Sequence, residues 1–156
     1  MDQTEFEAQD DREGDVQQGV VAVVVRGGRL LLIQRAPGIL AGGAWCFVGG
    51  SIEAGESQED AIRREFREEV GVAAQPVQKI WEYRRPDGKL LLHWWLAGCE
   101  HRELHPNPAE VSDIGWFTPE EIPRLPKVLE SNLFFMRSKA CKVLLEGIPD
   151  ETSNKL

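Results

Sequence analysis

The feature that most constrains the fold of this 156-residue chain is an unbroken apolar run at residues 20–25, made of five valines and one alanine. Continuous rather than alternating apolar residues are typical of a β-strand that is buried on both faces. Such a strand lies in a sheet whose two faces are covered by other elements. The run is far too short to cross a bilayer. It therefore predicts a layered globular domain.

Glycine, proline and capping residues divide the rest of the chain into short elements. Two glycines at 27–28 and a Pro-Asp-Gly triplet at 86–88 are turn signals, and each predicts a β-hairpin. Ser57 caps a helix, with Asp60 three residues later as in a capping box, and Gly71 ends it. The predicted strands are 20–25, 29–35, 45–48, 77–85, 89–97 and 114–117, and the predicted helices are 57–70, a short one after Thr118 that Pro123 ends, and 131–146. This order predicts an α/β fold, an αβα sandwich with a mixed sheet.

The acidic residues are concentrated in two segments. The net charge of −8 argues against a protein that grips a nucleic-acid polymer by its phosphates, because such surfaces are basic. Residues 1–18 carry a net charge of −6 and residues 51–70 a net charge of −4. We interpret residues 1–18 as a solvated, disordered tail, with a partner-binding arm as the alternative, and place the domain at 19–150.

The cysteines and the apolar runs predict the compartment. The three cysteines show no CxxC spacing, which is typical of a reduced, intracellular protein. The N-terminus lacks the apolar core of a signal peptide, and no apolar run is long enough to span a membrane. We therefore expect a cytoplasmic protein without a membrane partner, and a homodimer stays open.

The second acidic segment places three carboxylates on one side of the predicted 57–70 helix. At about 100° per residue, Glu65, Glu68 and Glu69 fall within a sector of roughly 100°. This sector borders the apolar stripe of Ile62 and Phe66 that faces the core. Because like charges three and four residues apart repel each other, the arrangement needs a compensating charge.

Two interpretations of this sector follow from the residues. A divalent cation would relieve the repulsion, and carboxylate oxygens select Mg²⁺ or Mn²⁺ over zinc. Arg64, four residues before Glu68, would then hold that carboxylate in place. Alternatively, the helix is an ordinary surface helix whose glutamates form ion pairs with Arg63, Arg64 and Arg67, and the helix pattern by itself favours this interpretation.

The wider spacing of residues 50–72 favours the metal site. The pattern is G-x5-E-x7-R-E-U-x-E-E-x-G-U, where U is a bulky apolar residue. All nine defined positions are matched, by Gly50, Glu56, Arg64, Glu65, Phe66, Glu68, Glu69, Gly71 and Val72. This segment resembles the Nudix box of the MutT-like Nudix hydrolases. The order of the surrounding elements is also similar to the Nudix αβα sandwich.

The resemblance implies a role for each matching residue. Glu65, Glu68 and Glu69 match metal-binding carboxylates of the family, and Gly49 lies where a backbone carbonyl often joins the metal. Catalytic roles fall to Glu65 and Glu68, with Arg64 as the orienting arginine. Glu56 and Gly50 match supporting positions. The family commonly has proline before the two glycines, and Val48 stands there in this chain without the loss of a ligand.

Two candidates lie outside the box. Glu110, six residues before Trp116, is similar in spacing to a loop carboxylate that some Nudix enzymes use as metal ligand or base. A solvated loop acid is the alternative, and Glu65 and Glu110 are both candidates for the general base. Asn132 resembles in position a substrate-binding, base-reading asparagine of MutT-type members, but a helix cap beside Ser131 is the preferred interpretation.

The resemblance implies Mg²⁺-dependent hydrolysis, with Mn²⁺ as a substitute, of a phosphoanhydride bond in a small-molecule nucleotide. The substrate class is a nucleoside diphosphate linked to another group. The compact length and Asn132 favour a MutT-type nucleoside triphosphate pyrophosphohydrolase. An ADP-ribose or dinucleotide pyrophosphatase is the alternative, and a Nudix module that binds nucleotides without cleaving them is disfavoured by the complete box.

Overall fold

The computed structural model describes residues 16–147, in which two four-stranded sheets lie between helices. The elements are, in chain order, strands β1 (Gln17–Val23), β2 (Val25–Arg26), β3 (Arg29–Arg35), β4 (Trp45–Cys46) and β5 (Val48–Ser51), helix α1 (Gln58–Val70), strands β6 (Gln75–Arg84), β7 (Leu90–Gly98) and β8 (Val111–Phe117), a 3₁₀ helix (Ile122–Arg124), and helices α2 (Glu130–Met136) and α3 (Lys139–Glu146).

The first sheet is mixed and has the strand order β5-β1-β7-β6. Strand β1 pairs antiparallel with β5 and parallel with β7, so it is an interior strand. In the second sheet β3 pairs antiparallel with β2, β4 and β8. The predicted α/β fold with a mixed sheet is therefore confirmed, with a second, antiparallel sheet beside the mixed one.

Helices cover the two faces of β1. On one side Phe66 of α1 packs in the same core as Val20. On the other side Phe135 of α2 and Cys141 of α3 pack in the same core as Val21. Residues 20–23 are at most 3% exposed, because alternate side chains of the strand enter opposite cores. The continuous apolar run predicts this arrangement, but β1 ends at Val23, and Val25 of the predicted strand 20–25 belongs to β2 in the second sheet.

The predicted helix at 131–146 is wrong, because the chain forms two helices there. Helix α2 ends at Met136, and Ser138 caps α3 by accepting a hydrogen bond from the Cys141 N–H at 3.1 Å. The Ser138 hydroxyl also donates to the Phe135 carbonyl at 2.7 Å. A serine that bonds the backbone on both sides competes with the helical hydrogen bonds, so the helix breaks there.

Other predicted boundaries also shift, including the start of β8, which is Val111 rather than residue 114. The strand predicted at 45–48 is divided at Phe47, because residues 45–46 pair with β3 in the second sheet and residues 48–51 pair with β1 in the first. Strand β1 begins at Gln17, inside the predicted tail, since the Gln17 N–H donates to the Lys89 carbonyl at 2.9 Å. Only a 3₁₀ turn at Ile122–Arg124 follows the predicted helix start at Thr118.

The prediction of a disordered tail falls, for residues 1–15, outside the described residues, as does the end of the predicted domain at 148–150. Within residues 16–147, every helix is too short or too polar to cross a lipid bilayer. The homodimer stays a prediction.

Candidate active site

Helix α1 begins and ends at the predicted residues. The Ser57 side chain accepts a hydrogen bond from the Asp60 N–H at 3.1 Å, and Gly71 ends the helix in the left-handed region at φ 79°. The left-handed conformation is strained for residues with a Cβ, so glycine is favoured at this end. These local signals place the carboxylates of α1 next to β5.

The glycines of β5 let α1 approach the sheet closely. A Cβ atom at Gly50 would lie 2.1 Å from Oε2 of Glu65. A Cβ atom at Gly49 would lie 2.3 Å from the Val20 carbonyl oxygen. Gly50 therefore makes room for the Glu65 carboxylate, and Gly49 makes room for the neighbouring strand.

Arg64 connects three of the predicted carboxylates to the backbone of β5. Its Nε donates to Oε2 of Glu56 at 2.7 Å, and its Nη1 donates to Oε1 of Glu65 at 2.6 Å and to Oε1 of Glu68 at 3.0 Å. Its Nη2 donates to the Ser51 carbonyl at 2.8 Å. The hydrogen bond from Arg64 lowers the pKa of Glu56. The sequence predicted the contact with Glu68, whereas the contacts with Glu56 and Ser51 span the loop before α1 and were not predicted.

Glu65 and Glu69 form a buried pair of carboxyl groups. The Glu65 side chain is 13% exposed, and Glu69 is 8% exposed. Burial raises the pKa of Glu65 to about 7, against the opposing effect of Arg64. Burial, and then the charge of Glu65, raise the pKa of Glu69 well above its usual range. The Gly49 N–H lies 3.4 Å from Oε1 of Glu69, which is a weak contact.

Glu110 and Arg35, which lie outside α1, influence the carboxyl group of Glu69. The charge of Arg35 lowers the pKa of Glu69, and the charge of Glu110 raises it. The Asn107 N–H donates to the Glu69 carbonyl at 3.2 Å, which joins the loop before β8 to the end of α1. The fold therefore brings Glu110 to the cluster, and its role as ligand or base stays a prediction. Arg35 was not singled out in the sequence, because it lies at the end of β3, more than 30 residues before Glu69.

Asn132 is buried, at 3% exposure. Its Oδ1 accepts a hydrogen bond from the Phe47 N–H at 2.8 Å, and its Nδ2 donates to the Ser131 hydroxyl at 3.1 Å. The helix-cap interpretation is wrong, since Leu129 is the N-cap of α2. Asn132 instead ties α2 to the segment before β5, and its substrate role stays a prediction.

The position of Arg64 affects the fit of a metal ion. Within the described residues, no group of three or more His, Cys, Asp or Glu side chains is arranged to hold a cation. Glu68 lies against Arg64, and its side chain is 46% exposed. Glu65 and Glu69 nevertheless form a buried all-oxygen pair, in which Glu69 is a hydrogen-bond partner of Glu65. A divalent cation fits this pair chemically, because it supplies the positive charge that two buried carboxylates need.

The comparison with known families agrees with this arrangement. A family model described as NUDIX domain matches residues 16–137. The chain belongs to the Nudix family. Hydrolases are among the proteins to which it is similar.

The chain is similar to two curated relatives and to one solved structure, as follows. The Nudix chain is 35% identical to the CTP pyrophosphohydrolase of Escherichia coli (strain K12) over 69% of its own length and 79% of that protein. It is 34% identical to the NAD-capped RNA hydrolase NudC of Chromobacterium violaceum over 67% of its length, but it covers only 39% of that relative. The solution structure of the E. coli ORF135 protein has a TM-score of 0.68 and 27% identity, covering 86% of this chain and 94% of that one.

Proposed function

We propose that this Nudix hydrolase converts nucleoside triphosphates to nucleoside monophosphates and pyrophosphate with Mg²⁺, or Mn²⁺ in its place. The observation that carries the proposal is the buried Glu65–Glu69 pair, which lies over the glycines of β5 and is oriented by Arg64. The similarity to a CTP pyrophosphohydrolase over 79% of that protein supports this substrate class.

The residues proposed to hold the cation are Glu65, Glu69 and the Gly49 carbonyl, with Glu68 joining them from the exposed side. A cation held there would neutralise the charge of the diphosphate and would make a water molecule easier to deprotonate. Arg64 keeps Oε1 of Glu65 in place through the 2.6 Å hydrogen bond. Arg35 adds positive charge beside Glu69, in the region where substrate phosphates would carry negative charge.

The proposed reaction is the attack of water on one phosphorus of the phosphoanhydride. A new P–O bond forms from the water oxygen, the P–O bond to the leaving pyrophosphate breaks, and one water proton passes to a carboxylate. Glu65, whose carboxylate is held in place by Arg64, is our first candidate for the general base, and Glu110 is the second.

The test is a substrate panel with the full chain. Nucleoside triphosphates, ADP-ribose, NADH and diadenosine polyphosphates are each incubated with Mg²⁺ or Mn²⁺, and the products are separated by chromatography. We expect pyrophosphate and the monophosphate from a triphosphate, and loss of turnover with a chelator. Turnover of no compound, together with tight nucleotide binding, would replace the enzyme by a nucleotide-binding module.

A dinucleotide pyrophosphatase is the second candidate, because several relatives of this chain are NAD-capped RNA hydrolases. The chain spans only about two fifths of the length of these relatives, at 39% and 38%, so their activity does not transfer as a whole. This candidate would be favoured if kcat/KM for the release of AMP from NADH is higher than kcat/KM for the release of pyrophosphate from every triphosphate tested. An NAD-capped RNA belongs in the same panel, since the absence of a nucleic-acid partner stays a prediction.

A further inference from the structure

The loop between β7 and β8 is fastened to the last turn of α1. The His105 N–H donates to the Val70 carbonyl at 2.8 Å, and the Asn107 N–H donates to the Glu69 carbonyl at 3.2 Å. Carbonyls in the last turn of a helix have no partner within the helix, so the loop supplies donors that they need. A Cβ atom at Gly71 would lie 2.2 Å from the His105 carbonyl oxygen, so a glycine at the end of α1 lets the loop approach. The backbone of Glu69 is therefore bonded directly to Asn107.

Asn107 also organises the turn that leads to Glu110. Its carbonyl accepts hydrogen bonds from the N–H groups of Glu110 at 3.0 Å and of Val111 at 2.8 Å. Its side-chain Oδ1 accepts a hydrogen bond from the Ala109 N–H at 3.1 Å. Asparagine commonly fixes a turn through such a bond to the residue two positions later. One residue thus holds Glu69 through its N–H and the backbone of Glu110 through its carbonyl.

A second element also holds the backbone of Glu110. Its carbonyl accepts a hydrogen bond from the Ala36 N–H at 2.9 Å, and Ala36 directly follows the last residue of β3. The charge of Glu110 raises the pKa of Glu69, which agrees with a position of the two carboxyl groups near each other. Nδ2 of Asn107 lies 3.5 Å from Oε2 of Glu110, which is at most a weak hydrogen bond. Asn107 therefore acts on Glu110 mainly through the turn.

We propose that Asn107 is a positioning residue that holds the Glu110 carboxylate at the distance from Glu69 that the reaction requires. The inference rests on the proposed function, in which Glu110 is the second candidate for the general base. Asn107 lies outside the 50–72 segment and is assigned no contact with the cation or the substrate. Its influence on turnover therefore passes through Glu110.

Loss of the Asn107 side chain should disturb the position of Glu110 without unfolding the domain. Asn107 and Ala109 are both exposed, so water can satisfy the Ala109 N–H that Asn107→Ala leaves without its acceptor. The turn then has other conformations available, and the Glu110 carboxylate spends less time in the productive position. A misplacement of about 1 Å costs about 100-fold in rate, so we expect the loosened turn to cost about 10- to 100-fold in kcat.

A double-mutant cycle in the full chain tests this inference. Steady-state kinetics with Mg²⁺ and the triphosphate that turns over fastest are measured for the wild type, Asn107→Ala, Glu110→Gln and the double variant, and circular dichroism checks that each is folded. We expect Asn107→Ala to lower kcat by about 10- to 100-fold with little change in KM. In the presence of Glu110→Gln, the same change should alter kcat by less than about twofold, because no carboxylate is left to position.

Asp87→Ala is the matched control, because Asp87 makes the same kind of turn bond before the other end of β7, where its Oδ1 accepts from the Lys89 N–H at 2.9 Å. It should leave kcat unchanged. If Asn107→Ala does not fold, Asn107→Asp takes its place in the cycle. Its carboxylate keeps an acceptor for the Ala109 N–H but repels Glu110, so the same dependence on Glu110 is expected.

Three results would overturn this inference while triphosphate hydrolysis stands. They are an Asn107 variant as active as Asp87→Ala, an equal loss of kcat with and without the Glu110 carboxylate, and a wild-type kcat in Glu110→Gln. A wild type that turns over no triphosphate overturns the proposed function, and this inference with it.

Discussion

Gly50 offers a direct test of whether the position of Glu65 controls catalysis. A Cβ atom there would lie 2.1 Å from Oε2 and 2.4 Å from Cδ of Glu65. Carbon and oxygen atoms that are not bonded need about 3.3 Å, so in Gly50→Ala the carboxylate oxygen must move by about 1.2 Å. Gly50 is not among the described glycines with positive φ, so alanine adopts its backbone conformation without strain.

The expected effect on activity is large and the effect on stability is small. A misplacement of about 1 Å costs about 100-fold in rate, so we expect kcat/KM of Gly50→Ala to fall about 100-fold. The clashing atoms are the free end of a flexible side chain that can rotate away, so the free energy of unfolding should change by less than about 1 kcal/mol. Pyrophosphate release and thermal unfolding followed by circular dichroism measure the two effects.

Two other glycines are the controls. A Cβ atom at Gly49 would lie 2.3 Å from the Val20 carbonyl oxygen, which is backbone and has no rotamer to change. The free energy of unfolding of Gly49→Ala should therefore be lower than that of the wild type by at least about 1–3 kcal/mol. Gly98 has nothing within 4 Å of the added carbon, so Gly98→Ala should resemble the wild type in both assays. Wild-type activity in Gly50→Ala would refute the role of Glu65, and early melting like that of Gly49→Ala would refute the geometric reasoning.

Three further changes examine individual charges. Glu69→Gln removes a charge at constant size, so kcat should fall by about 1000-fold or more without unfolding the domain, and near-normal turnover would place the cation elsewhere. Burial raises the pKa of Glu65 from 4.5 to about 7, so its contribution to stability is present below pH 4.5 and is lost as the pH rises through about 7. In urea unfolding without metal, the free energy of unfolding of the wild type should fall by up to about 3 kcal/mol relative to Glu65→Gln between about pH 5 and about pH 8. A difference between the two proteins that does not change with pH would contradict this. Burial, and then Lys79, lower the pKa of His93 below 6.5, so its contribution is present above pH 6.5 and is lost as the pH falls. Urea unfolding should show that loss in the wild type relative to His93→Gln, and an equal response of both proteins would count against it.

Local signals in the sequence were sufficient to predict helix α1 and the side on which its carboxylates lie. Ser57 and Gly71 bond to groups within four residues, so their effect is readable from the sequence. The burial of Glu69 agrees with its predicted place beside the apolar stripe of Phe66. The Arg64–Glu68 contact was predicted for the same reason, since it joins residues one helical turn apart.

Contacts between distant segments could not be predicted in this way. Strand β5 extends through its glycines because β1 pairs with it, and no local signal at 48–51 announces that partner. The break before Ser138 also lies within a continuous helical pattern, and it depends on how the serine hydroxyl bonds the backbone in the fold. The indole N–H of Trp94, which is buried without a hydrogen-bond partner in residues 16–147, is a property of the assembled core alone.

The interior position of β1 determines the order in which the sheet can assemble. Its parallel partner β7 comes much later in the chain, since Gln17 lies opposite Leu90 and Val23 opposite Leu96. A ribosome must therefore release most of the domain before the valine-rich strand has both neighbours. Until then this uncharged strand has an open edge, which favours aggregation during synthesis. Pairing of such distant segments is also slow, so closure of β1 against β7 is expected to limit the folding rate, whereas α1 forms early from local contacts.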